Sequence, residues 1–211
     1  GLIQFKFDDD AGESNSAAQI QAKISDASNS TEDGTLEILT LVNGSSRKMI
    51  KIKPTEVVIN EDSQDVDFRV ESDGDANMLF VNAGDNEVGI GTNDPSAKLH
   101  VVGNVIATTD TDTSNTGSVT LDFATNQNFV LTLTGNTTLA NPSTEVVGQS
   151  GFIVLIQDGT GGRTLSLGTD YETVGGTGIT LSSAASATDI VPYVVAASNR
   201  ILLGAPQLAF S

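Results

Sequence analysis

The chain has 211 residues, a formal net charge of -17 and no cysteine, and aromatic residues make up only 5% of it. That length gives room for one or two domains. The acidic balance argues against nucleic acid as a partner, because neutralising phosphates needs clustered Lys and Arg. Zero Cys removes both a disulfide framework and a thiolate metal site. No apolar run is long enough to cross a bilayer, so no membrane insertion is expected. With so few aromatics, small and β-branched side chains must do most of the burying, which suits thin layers of sheet. The chain starts at Gly1 with no basic-then-apolar leader, which reads as a processed or excised piece of a longer protein.

Residues Leu2 to Phe7 alternate, with Ile3, Phe5 and Phe7 on one face, and Asp8 to Asp10 close the run. A strand followed by an acidic turn is expected. Between Ala18 and Ser25, period two matches more positions than a helical period does, predicting a second strand. Ser28 to Gly34 reads as a turn and Leu36 to Val42 as a third strand. Asn43-Gly44 is a hairpin signal, since both residues tolerate positive φ. It leads into Lys48 to Lys53. The basic cluster Arg47, Lys48, Lys51 and Lys53 is followed by Glu56, Glu61, Asp62, Asp65 and Asp67, so it reads as a solvated strand face paired with nearby acids rather than a polyanion site.

From Val66 to Val102 short apolar runs recur: Val66, Phe68 and Val70; Leu79 to Val81; Val88 and Ile90; Leu99 and Val101. Each is closed by Gly, Asn, Asp or Pro, the pattern of a ladder of short strands and tight turns. Gly89 and Gly91 flank Ile90, where a residue without Cβ admits a neighbouring backbone or takes positive φ. Pro95 starts a turn and pushes Asp94 toward extended geometry. The Gly-x-Gly is no dinucleotide loop, because the third Gly is missing and Pro95 interrupts any helix that would carry the phosphate.

The segment Val88-Gly89-Ile90-Gly91-Thr92-Asn93-Asp94-Pro95-Ser96-Ala97-Lys98-Leu99-His100-Val101, preceded by Asp67 to Ser72, resembles the shaft repeat of tailed-bacteriophage fibres and of some large bacterial surface proteins. The resemblance implies an intertwined parallel homotrimer. Its structural motif would be Gly89, Ile90, Gly91, Pro95 and Leu99, and its trimer core Phe68, Val70, Leu79, Val81, Val88 and Val101. Some fibres of this kind release a terminal chaperone domain after a serine, which would make Ser211 a processing site.

Composition shifts after Gly103: 8 of the 10 basic and 19 of the 27 acidic residues lie before it. The polar stretch 107–117 reads as a linker between a shaft domain at 1–106 and a distal antiparallel β-domain at 118–211. Strands are predicted at Val119 to Phe123, Phe129 to Thr134, Gly151 to Gln157, Arg163 to Leu167, Ile179 to Leu181, Ile190 to Ala196 and Arg200 to Leu203. Phe152 to Ile156 is apolar on both faces and should be a central strand covered from both sides. Pro192 demotes its strand to an edge or bulge. The fold expected is all-β, ending in an antiparallel β-sandwich. The block from Gln149 to Thr164 also resembles distal domains of phage fibres.

Little of the chemistry-bearing material is catalytic. His100 is the lone histidine, so a nucleophilic triad has no base to spare, and it reads as a strand-face residue. Asp73-Gly74-Asp75-Ala76-Asn77 matches half a calcium loop, but Met78 replaces the Gly at its sixth position and Gly84 stands where a bidentate Glu belongs. Asp110 to Ser114 fails likewise at Leu121. Both read as solvated turns, with no metal and no cofactor. The function expected is a virion fibre segment, non-enzymatic, joined to other virion proteins at the fibre base, its distal loops offering Thr, Asn, Ser and Tyr groups to a host-surface glycan or protein. A polysaccharide-degrading tailspike fragment, working through a carboxylate pair, and a bacterial adhesin are the competing readings.

Overall fold

A computed structural model describes residues 1–210; the expected processing position, Ser211, lies outside them. The protein is all-β. Its strands are β1 (Leu2–Asp8), β2 (Ser14–Asp26), β3 (Asp33–Val42), β4 (Ser45–Ile52), β5 (Val57–Ile59), β6 (Phe68–Val70), β7 (Leu79–Asn82), β8 (Glu87–Ile90) and β9 (Leu99–Val101) in a compact unit spanning Gly1–Val105. The second unit holds β10 (Thr109–Val119), β11 (Asn128–Leu139), β12 (Ser150–Gln157), β13 (Leu165–Leu167), β14 (Tyr171–Glu172), β15 (Thr188–Ala197), β16 (Arg200–Leu203) and β17 (Gln207–Phe210).

In the first unit, β1 to β5 form an antiparallel meander in chain order. The β3–β4 hairpin turns through Asn43 and Gly44, both at positive φ (50° and 73°), the conformation a two-residue type I′ turn demands. The acidic turn after β1 is built by Asp9, whose carboxylate accepts from the backbone N–H of Ala11 and Glu13. Register aligns Ile3, Ile20, Ile38, Ile50 and Ile59 across all five strands. Residues paired in register share a face, so this isoleucine row, with Phe5 and Ile52 beside it, makes one face of the sheet apolar. The opposite face is an ion-pair layer. Glu37, only 3% exposed, meets Lys23 at 2.8 Å and Lys51 at 4.0 Å, and Lys51 reaches Glu61 at 2.7 Å.

The second unit encloses its own core. Phe129, Leu131, Leu133, Ile153, Leu155, Val191, Val195 and Ile201 are buried together, with Phe123, Phe129 and Tyr193 packed as an aromatic cluster. Its sheet is mixed where an antiparallel sandwich was expected: β10 and β12 both run parallel to β11, and β14 runs parallel to β16. Parallel neighbours need a crossover instead of a hairpin. The connection from Thr120 to Gln127 supplies one and buries Leu121 and Phe123 on the way, which is why those two residues lie in a loop and not in the predicted strand.

Three further expectations are corrected. Thr109–Val119, overlapping the stretch 107–117 read as a linker, is a strand; alternating β-branched threonines suit an edge, and the buried Asn115 amide ties it to the carbonyl of Thr132. Ile179 and Leu181 pack on the core from a loop. The strand β12 is central, between β11 and β15, yet it is buried on one face only, through Ile153, Leu155 and Gln157, while Phe152 on the other is 50% exposed because no layer of the unit covers it.

Candidate assembly interface

The sheet β6–β9 contains the repeat motif. β6, β7 and β8 are antiparallel and β9 joins β8 in parallel. Register sets Phe68, Val81, Val88 and Leu99 in one row, flanked by Val70 beside Leu79 and Ile90 beside Val101. All of the trimer-core candidates, together with Ile90 and Leu99 of the motif, therefore share one face. Within one chain that face stays open: Val70, Ile90 and Leu99 are exposed, and the others are half-buried. The reverse side carries Arg69, Phe80, Gly89 and His100, of which Phe80 and Gly89 are buried.

The motif glycines are required by backbone packing inside the chain. A Cβ on Gly89 would lie 2.3 Å from the carbonyl oxygen of Thr92, far inside any contact distance. Gly91 has φ of 72°, and a Cβ there would meet the Val102 carbonyl oxygen at 2.9 Å. The turn is stitched on both sides: Gly91 N–H donates to Asn77, Val102 N–H to Ile90, and Val88 N–H to Lys98. Pro95 is buried, and Asp94 N–H donates to the Thr92 hydroxyl. The sequence signal for this arrangement is the Gly-x-Gly followed by Asp-Pro.

Polar residues elsewhere are used for structure. Lys48 pairs with Asp62 at 2.9 Å and Lys53 with Glu56 at 2.8 Å. Hydrogen bonds from the backbone N–H and the ammonium of Lys48 lower the Asp62 pKa, and the carboxylate of Asp62 raises that of Lys48. The half calcium loop is a turn in which the Asp75 carboxylate accepts from Asn77 N–H. Ser96 N–H donates to His100 Nδ1. In the second unit Asp158 is gripped by Arg163 (Nη2 to Oδ2, 2.7 Å) and by the N–H of Gly161 and Thr160, which together hold its pKa down at about 2. Glu37 and the buried Asp189, which accepts from Ser182 and Ala209 N–H, were not singled out from sequence, since nothing local distinguishes them from solvated acids.

The expected presentation of Tyr groups to a receptor is corrected. Tyr171 and Tyr193 are 5% and 4% exposed, and Tyr193 OH donates to the Gln127 carbonyl at 2.6 Å. Burial raises the Tyr193 hydroxyl to about 12. Alternation aims both rings inward, where their apolar bodies fill the core. The cleft of about 670 Å³ beside Tyr171 and Thr173 is lined by one carboxylate, Glu172, which Arg200 holds at 2.9 Å. Among the described residues no group of three or more His, Cys, Asp or Glu could hold a metal, and no helix is long and apolar enough to cross a membrane.

Residues 107–197 match the family model described as "Putative phage tail fibre C-terminal domain". No curated protein and no solved structure gives a significant match.

Proposed function

With residues 107–197 identified as a phage tail-fibre C-terminal domain, which implies location on the virion, we propose that the chain is a homotrimeric fibre segment projecting from the particle. It attaches to the host surface and is anchored by other virion proteins at its base. It works mechanically, without catalysis. Domains of 1–106 as shaft and the remainder as distal module are part of the same reading. The observation that carries the trimer is the one open face shared by Phe68, Val81, Val88 and Leu99 and their neighbours. Strands of three or four residues are marginal alone, and the entropy of ordering so many turns needs more burial than one copy of this sheet provides. Closing three copies about an axis buries the face and leaves no long free edge. Three, and not two, follows from the resemblance to fibre shafts.

Attachment is assigned to exposed Thr, Asn and Ser groups of the second unit's loops, Tyr171 and Tyr193 being buried. Analytical ultracentrifugation tests the assembly. The expected species has three times the 21.8 kDa of one chain, and Val81→Asp, which places a charge on the shared face, should weaken it. A folded 21.8 kDa monomer would overturn the fibre reading, and a dimer its three-fold part. Incubation with host polysaccharide should release no reducing ends; release would establish the tailspike alternative.

A further inference from the structure

A second open apolar surface is the isoleucine face of β1–β5, for which neither the repeat motif nor the family match, confined to residues 107–197, supplies a role. In a single chain Ile3 is 58% exposed, Phe5 53%, Ile24 69% and Val57 62%. Phe7 at 42%, Ile20 at 36%, Ile52 at 40% and Ile59 at 42% lie on the same side, and at ~150–200 Å² per large side chain the face leaves on the order of 600–800 Å² of apolar surface in water, about one partner's share of a protein interface. A monomer seldom exposes so much in one piece.

We infer that this face is a second self-association surface, covered by the same face of other copies of the chain. The inference rests on reading the chain as a self-assembling fibre segment. Its row Ile3, Ile20, Ile38, Ile50, Ile59 runs across all five strands and offers no hydrogen-bonding side chain. Arg47, opposite Thr40, is the charged residue that falls on this side, one row further along the strands. Away from that row the surface offers a ligand no hydrogen bond, and it fits another flat apolar face. A second copy supplies one at equal concentration and in symmetric register. The sheet's other side already has its cover in the Lys23, Glu37, Lys51 and Glu61 pairs, so the isoleucine face is the side left for a partner.

The absence of cysteine makes a clean test possible in the full chain. Ile20→Cys and Gln21→Cys place a thiol on opposite faces of β2 at neighbouring positions. In one chain Ile20 is 36% exposed and Gln21 is half-buried, so an uncovered face predicts that Ile20→Cys reacts with maleimide at least as fast. Covered by copies, it should react ~tenfold or more slowly, and a bifunctional maleimide should join copies through position 20. Sedimentation is run on the same samples. An oligomer in which Ile20→Cys reacts as fast as Gln21→Cys overturns this inference and leaves the motif-sheet interface standing. A monomer overturns the fibre reading itself. A protected Ile20→Cys that no cross-linker joins to a second copy, in a sample that retains another protein or lipid, overturns the copy as occupant. Should Ile20→Cys not fold, Ile24→Cys against Ser25→Cys repeats the comparison at a more exposed position, where less packing is lost.

Discussion

The two units bury their apolar side chains in different ways. The second unit closes around Phe129, Leu131, Ile153, Leu155, Val191 and Ile201, all at most 2% exposed, so one copy already holds a core. In the first unit Leu39 and Phe80 are the buried large apolar side chains among the described residues, and both sheets leave an apolar face in water. The same alternation of apolar and polar residues runs through both units. What differs is whether the chain itself folds back to cover the apolar side. The second unit does so with crossover loops that carry Leu121 and Phe123 inward, whereas the first unit, the parallel β8–β9 connection apart, is joined by turns that extend a sheet sideways.

Substitutions should therefore act unequally. The largest effect belongs to Phe129→Ala, which empties the centre of the aromatic cluster and should cost the second unit about 3–5 kcal/mol, seen in its denaturant midpoint with oligomer formation by the first unit retained. Loss of oligomer together with the second unit would break the contrast. Gly89→Val follows. Its side chain would strike the Thr92 carbonyl, and overpacking of this kind costs about 1–3 kcal/mol; the expected readout is a lower yield of folded oligomer. Gly91→Val should act in the same direction, and assembly and melting like the parent would refute the role given to the motif.

The smallest effect is one of pH. Asp158 is held at about 2, below its ordinary 3.8, by Arg163 and two backbone N–H groups. Its contribution to the second unit is complete above pH 3.8 and is lost as pH falls through 2. Asp158→Asn should remove that part of the acid sensitivity, measured as the slope of stability against pH between 4 and 2. An unchanged slope would show that the Arg163 grip adds no stability.

Much of the strand pattern was legible because alternation is a local signal. Ile3, Phe5 and Phe7 mark β1, Asn43-Gly44 marks a hairpin, and the apolar pairs from Phe68 to Val101 mark the motif sheet. The motif glycines were legible too, since only a residue without Cβ fits beside Thr92 and Val102. Other features depended on distant partners. The strand β10 carries threonine, aspartate and asparagine where a linker would, and becomes a strand through its parallel pairing with β11. The two-residue β14 is too short for a period, and the Val57–Ile59 run of β5 is apolar without alternation. Parallel order within the second unit follows from where its crossover loops lie, which no spacing along β11 or β12 encodes. Tyr171 and Tyr193 looked available as surface groups, and their burial follows from which side of β14 and β15 faces the core.

We propose that the first unit is completed by other copies and the second by its own chain. Amide hydrogen exchange followed by mass spectrometry distinguishes the two, on the intact protein and on a variant charged on both open faces, Val81→Asp with Ile20→Asp. On dissociation, protection across β1 to β9 should collapse toward exchange of open strands, while β11, β12 and β15 keep their protection. Protection of β1 to β9 that persists in a dissociated chain would contradict the account.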